Sequence, residues 1–174
     1  RDGRRADLES AFAGVRSLAS AAAAARRLDG FYAVVVETDD AVFLVCDHAR
    51  SVPLYVDTAD SVVVTDSPND VVGDRERDAL AASEFALTRY VTRGETVHAD
   101  VAAVRAGEVV AVPRADPASF ERRRYARYRP TTAVEGEEAS LLDAMDDVLG
   151  AVFDRVVEVA DGRRVAVPLS GGVD

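Results

Sequence analysis

The sequence predicts an α+β fold that is followed by the first helix and strand of an α/β domain. Short β-branched and aromatic runs, separated by turn residues, recur up to about residue 130, which is typical of an antiparallel sheet. Beyond that point a long helical stripe of apolar residues leads through Asp161-Gly162 into a β-branched run and two adjacent glycines. We therefore divide the 174-residue chain into two domains, residues 1–130 and residues 131–174.

The first predicted element is an amphipathic helix. Apolar residues recur at spacings of three and four, with arginines and acids between them: Leu8, Phe12, Val15, Leu18 or Ala19, and Ala22. We expect the helix to end near Gly30, because glycine adopts the left-handed conformation that commonly stops a helix.

Short strands are expected next. Four of them should form an antiparallel meander, at residues 31–36, 42–46, 54–56 and 62–65. Further along, the pattern predicts a helix over residues 83–90, a strand on each side of the turn at 105–107, and a strand over 120–129.

A linker and a second domain complete the predicted order. Residues 130–136 are short, turn-rich and free of periodic apolar residues, which is typical of a linker. Apolar residues then recur at helical spacing from Leu141 to Val157, and Glu137 and Glu138 favour the positive end of that helix dipole. Asp161-Gly162 is expected to turn the chain into a buried strand.

The last five residues carry the main functional signal. Ser170-Gly171-Gly172-Val173-Asp174 follows a β-branched run, and glycines at the end of a strand expose backbone N–H groups that bind anions. The loop of ordinary nucleoside triphosphatases is excluded because the chain contains no Lys, and a Gly-x-Gly-x-x-Gly pattern is absent. Ser-Gly-Gly alone is also a common structural turn; the strand and helix predicted before it favour a nucleotide site.

The loop resembles the pyrophosphate loop of the ATP pyrophosphatase superfamily, Ser-Gly-Gly-x-Asp-Ser. The resemblance implies that Ser170, Gly171 and Gly172 bind the pyrophosphate of ATP and that Asp174 holds Mg²⁺ against it. Backbone donors and a metal ion stabilise the charge that develops on the leaving pyrophosphate. No residue of this chain is assigned a catalytic role.

Three upstream segments resemble glutamine-hydrolysing asparagine synthetases in collinear order. They are residues 28–34 (LDGFYAV), 47–55 (DHARSVPLY) and 97–101 (VHADV), followed by the turn at 104–107 and the basic aromatic segment 122–128. The resemblance implies a glutaminase-like (Ntn-hydrolase-like) domain before an α/β synthetase domain. It also implies an ATP-dependent ligase that activates aspartate as an acyl-adenylate for attack by ammonia, or by ammonia from glutamine, and releases AMP and pyrophosphate.

This sequence differs from the family pattern at positions that concern the source of nitrogen. The family's glutaminase domain begins with a catalytic cysteine, which this sequence lacks, and Cys46 and Arg50 stand where the hairpin pattern has Arg and Gly. Either the true N-terminus lies upstream or the domain is a degenerate glutaminase and ammonia is used directly; we favour the second. Because the chain begins with Arg1, we expect an internal fragment that is inactive by itself.

Composition limits the partners and the compartment. The net charge of -10 disfavours nucleic acid and anionic membranes, and no apolar stretch approaches the length of a membrane span. A single cysteine fits a cytoplasmic protein, and the Asp-rich, Lys-free composition is typical of adaptation to high salt. A homo-oligomer is possible because the second domain is expected to expose strand edges.

Two groups of residues that could indicate a functional site are better interpreted as structural. We expect Cys46 to be a buried strand residue and His48 a loop residue, not a nucleophile and its base. The arginines at 122–129 are expected on an exposed strand, paired with acids, and not in an RNA-binding surface.

Two alternatives to asparagine synthesis stay open. One is another ATP-pyrophosphatase-type enzyme, either β-lactam-forming or tRNA-modifying. The other is a non-catalytic module that serves regulation or oligomerisation.

Overall fold

A computed structural model describes residues 7–59, 61–72, 76–92, 96–129 and 136–167. The chain is a mixed α+β protein with antiparallel sheets, and it divides into two compact units, Arg1–Tyr128 and Arg129–Asp174. The helices are α1 (Leu8–Phe12), α2 (Leu18–Ala25), α3 (Asn69–Val72), α4 (Ala79–Thr88) and α5 (Glu138–Ala160). The strands are β1 (Ala33–Glu37), β2 (Ala41–Cys46), β3 (Tyr55–Asp57), β4 (Val63–Thr65), β5 (Val101–Ala103), β6 (Glu108–Pro113) and β7 (Glu121–Arg124).

The first unit contains two antiparallel sheets. One has the strand order β1-β2-β6-β7, and the other has the order β4-β3-β5. The predicted meander is therefore wrong in its connectivity, because β2 pairs with β1 and β6, whereas β3 pairs with β4 and β5. The chain changes sheet in the loop after Cys46 and again at the turn after Ala103.

Strand β2 lies between two hydrophobic cores because successive side chains of a strand point to opposite faces. Phe43 and Val45 join the core beneath α1 and α2, whereas Leu44 and Cys46 join the core that includes Leu54, Val56 and Val104 of the second sheet. The first unit is thus layered as helices, four-stranded sheet and three-stranded sheet.

The predicted first helix is in fact two helices. Ser17 begins α2 with a capping box in which its side chain accepts from the N–H of Ser20 and the Ser20 side chain accepts from the N–H of Ser17. Val15 is buried in the connection between α1 and α2. Its spacing of three residues from Phe12 therefore does not reflect a continuous helix. Helix α2 ends at Ala25 and not near Gly30, because the chain tightens into i to i+3 bonds after it.

Strand β7 is shorter than the predicted strand over residues 120–129. Its partner β6 begins at Glu108, and beyond Arg124 the chain meets the Gly107 turn instead of a strand. The N–H groups of Tyr125 and Ala126 both donate to the Gly107 carbonyl, at 2.8 and 3.2 Å. The two strands predicted around residues 105–107 are confirmed as β5 and β6.

The second unit is described from residue 136 to residue 167. The predicted helix is confirmed as α5, and it ends at Asp161 and Gly162, which both have positive φ. Residues 163–167 form no strand, and Val165 and Val167 are more than half exposed. The prediction of a buried strand is therefore wrong for these residues, since the described part of this unit contains no neighbouring strand to pair with them. Across the described ranges, none of the helices combines the length and apolar character that a membrane crossing requires.

Candidate functional site

The predicted pyrophosphate loop, Ser170, Gly171, Gly172 and Asp174, lies outside the described residues. The structure therefore gives no geometry for it. Within the described ranges, no group of three or more His, Cys, Asp or Glu side chains is arranged to hold a metal ion. The features below belong to the first unit.

The loop after β2 is organised around the buried carboxylate of Asp47. Its oxygens accept from the backbone N–H groups of Tyr32 at 3.0 Å, Ala49 at 2.7 Å and Ser51 at 3.1 Å. The side chain is only 1 % exposed, so these donors replace the water that a carboxylate needs. Asp47 thereby ties the segment at 28–34 to the segment at 47–55.

Arg50 in the same loop has a φ of +55°, in the left-handed region. Non-glycine residues adopt this conformation at a cost, which glycine avoids because it has no Cβ. The loop thus has a backbone conformation at position 50 that suits Gly although the residue is Arg.

A buried hydrogen-bond network joins the end of β2 to helix α2. The Tyr125 hydroxyl donates to the Cys46 carbonyl at 2.7 Å and lies 2.9 Å from the Tyr32 hydroxyl, which in turn lies 3.2 Å from the Ala25 carbonyl. Burial raises the pKa of both tyrosines. They therefore remain protonated and act as structural donors.

Cys46 and His48 do not form a nucleophile and base pair. Cys46 is fully buried and burial raises the pKa of its thiol to about 11, whereas His48 is exposed and its ring packs at a tilt against Tyr125. A thiol of this pKa remains protonated at neutral pH. The interpretation of Cys46 as a buried strand residue and His48 as a loop residue is confirmed.

The arginine segment 122–129 divides into buried and exposed parts. Arg122 is half-buried and forms a 2.9 Å ion pair with buried Glu108, whereas Arg123 and Arg124 are exposed. Pairing with an acid is thus confirmed for Arg122. Tyr125, in contrast, turns into the core of the first unit and is not a surface residue.

A cavity of about 530 Å³ opens on the first unit. Its walls come from the Asp47 loop, β3, the start of α3, α4, residues 90–91, residues 96–98, and the turn between β5 and β6. Three of its lining residues are basic, namely Arg50, His98 and Arg105. Each has a buried side-chain nitrogen that finds no hydrogen-bond partner among the described residues.

This cavity was not predicted from the sequence. The spacing of His98 and Arg105 in the chain gives no sign that they meet Arg50. The change of sheet after Cys46 and after Ala103 brings the three together. The positive φ of Arg50 is likewise visible only in the folded chain.

Comparison with known proteins gave no match, either to a protein-family model or to a curated protein sequence. A functional assignment therefore depends on the residues themselves.

Proposed function

We propose that this chain is part of an asparagine-synthetase-like, ATP-dependent amide ligase. Its first domain is a degenerate glutaminase-like domain of the Ntn-hydrolase type, and its second is the start of an ATP-pyrophosphatase domain. The enzyme activates aspartate as an acyl-adenylate, which ammonia attacks, and releases AMP and pyrophosphate. Its composition suits the cytoplasm, and self-association is possible.

The observation that carries this proposal is the sequence Ser170-Gly171-Gly172-Val173-Asp174 after a long helix and a tight turn. Backbone N–H groups at the glycines stabilise the leaving pyrophosphate, and an aspartate oxygen is a ligand that Mg²⁺ prefers. ATP and Mg²⁺ are the cofactors that this assignment requires.

Helix α5 supports an α/β assignment for the second unit. It has 23 residues and an apolar stripe of which Leu142, Met145 and Phe153 are more than half exposed. A stripe of this kind is stable when a sheet or another helix covers it, and an ATP-pyrophosphatase domain provides such a sheet.

The Asp47 loop supports the upstream resemblance. The pattern's Asp is the buried acceptor that organises the loop, and its Gly position has positive φ in this chain although Arg50 occupies it. This backbone conformation at position 50 favours a domain with the glutaminase-like scaffold.

The experiment is an ATP assay on the 174-residue chain and on the natural protein that contains it. We expect the natural protein to release AMP and pyrophosphate with Mg²⁺, aspartate and ammonia, and the 174-residue chain to be inactive because the carboxylate-binding residues would follow Asp174. AMP formation that needs another acceptor would favour the β-lactam-forming or tRNA-modifying alternative. Its complete absence would favour the non-catalytic module.

A pair of variants tests the role of Asp174. Asp174→Asn should lower AMP formation by about a hundredfold, because it removes a charged ligand at the site where charge develops. Asp161→Asn makes the same chemical change at the end of α5, where Asn accepts positive φ well, and should leave activity unchanged. Equal activity of the two variants would contradict the assignment of the loop.

A further inference from the structure

We propose that the cavity lined by Arg50, His98 and Arg105 binds a small organic anion, a carboxylate or a phosphate that carries an apolar or aromatic body. All residues that line this cavity belong to the first unit, and the proposal does not depend on the enzyme assignment above.

The basic side chains supply the charge. Arg50 has two buried nitrogens, Nε and Nη2, and Arg105 has one, Nε, that meet no acceptor among the described residues. An arginine always carries its proton, so these donors cannot be neutralised in place. Nδ1 of His98 is a fourth buried nitrogen without a partner in the described part of the chain.

Buried donors without acceptors are rare because they lose their bonds to water and gain nothing in return. Here the four unpartnered nitrogens all belong to side chains that line one cavity, and two of those side chains are arginines. An anion in the cavity adds acceptors and a negative charge beside these side chains. Carboxylates and phosphates fit the planar guanidinium fork best.

The backbone conformation of Arg50 also favours an anion site. A positive φ at a non-glycine residue carries a backbone cost, and such strain concentrates at ligand sites where the side chain has a use. The Arg50 guanidinium lies 5.0 Å from the centre of the Tyr55 ring, which also lines the cavity. This contact holds the charge at the wall of the cavity.

The remaining walls are mainly apolar and aromatic, and Asn69 and Thr96 are their polar side chains. Phe85, Tyr90, Val91 and Val97 line the cavity together with Tyr55. A volume of about 530 Å³ lies within the range of small-molecule sites, and an apolar wall with a few convergent polar groups is their usual composition. An inorganic anion alone would leave these aromatic walls without a contact.

The experiment is a calorimetric titration of the 174-residue chain, at low salt, with four probes. Benzoate and phenyl phosphate each combine a negative charge with an aromatic ring. Benzamide is the neutral analogue of benzoate, and inorganic phosphate is an anion that has no aromatic ring. We expect at least one of the two aromatic anions to bind, to bind about tenfold or more tightly than benzamide and inorganic phosphate, and to weaken as salt is added.

Arg50→Gly distinguishes a binding role from a structural one. Glycine suits the positive φ, so this variant should unfold at an equal or higher urea concentration while it binds the aromatic anion about tenfold or more weakly. Arg89→Gly is the matched control, because Arg89 also has positive φ, at the end of α4, and does not line the cavity. It should bind like the unchanged chain.

Three results would overturn the proposal. They are no binding of either aromatic anion at millimolar concentration, equal binding of benzamide, or unchanged binding by both Arg50→Gly and Arg105→Gln. Because AMP formation is not measured here, failure of this proposal and failure of the ligase proposal are distinguishable.

Discussion

Asp47→Asn should destabilise the first unit although it changes a single oxygen into an NH₂ group. The carboxylate accepts from three backbone N–H groups, with Oδ2 serving Tyr32 and Ser51 and Oδ1 serving Ala49. The Tyr32 N–H is buried, and the N–H groups of Ala49 and Ser51 are partly buried. Whichever oxygen the amide group replaces, at least one of these donors then faces another donor.

The magnitude follows from these contacts. One buried donor without an acceptor costs about 1–3 kcal/mol, and the remaining hydrogen bonds lose the strengthening that a charged acceptor gives them. We therefore expect the free energy of unfolding to fall by about 2–4 kcal/mol. Such a loss is a large part of the stability of an ordinary domain.

Urea unfolding followed by circular dichroism measures this change. Asp39→Asn is the matched control, because Asp39 is exposed in the turn between β1 and β2 and should change stability by less than about 0.5 kcal/mol. If Asp47→Asn also unfolds within about 0.5 kcal/mol of the unchanged chain, the assigned role of the Asp47 carboxylate is wrong.

Three further predictions concern the same unit. Tyr125→Phe leaves the Cys46 carbonyl without its 2.7 Å donor and should cost about 1–3 kcal/mol in urea unfolding, and an unchanged midpoint would contradict the network. Gly107→Ala should strongly lower the free energy of unfolding, because φ is +64° and a Cβ would lie 2.6 Å from the Ala126 carbonyl oxygen. Gly14→Ala is its control and should be nearly neutral, because a Cβ there meets nothing within 4 Å. Burial raises the pKa of the Cys46 thiol from 9.0 to about 11, so the folded state holds this proton more tightly than the unfolded state. The resulting stability is fully present below pH 9 and is lost as the pH rises toward 11. Urea unfolding across this window should show a shallower decline in Cys46→Ala, and an equal decline would contradict the assignment.

The sequence predicted elements better than it predicted their pairing. Continuous apolar runs located β2 and β6 because each strand is buried on both faces, between a helix layer and a second sheet. Such runs say nothing about which strand pairs with which. The sheet change after Cys46, which the meander prediction missed, depends on contacts between segments far apart in the chain.

The predicted ends of helices and strands were wrong where a side-chain cap or a strand partner determines them. The Ser17 and Ser20 capping box divides the first helix, although the apolar spacing continues across it through Val15. Strand β7 ends where its partner begins at Glu108, which a local pattern cannot show. The cavity at Arg50 was missed for the same reason, because its three basic residues meet only in the folded unit.

The most direct test of the ligase assignment is aspartate-dependent release of AMP and pyrophosphate from ATP and Mg²⁺, measured on the natural protein in high salt with ammonia or glutamine as nitrogen donor. The account predicts AMP formation that requires aspartate and is supported by ammonia better than by glutamine. Absence of AMP under all of these conditions, or AMP formation unchanged in Asp174→Asn, would contradict it.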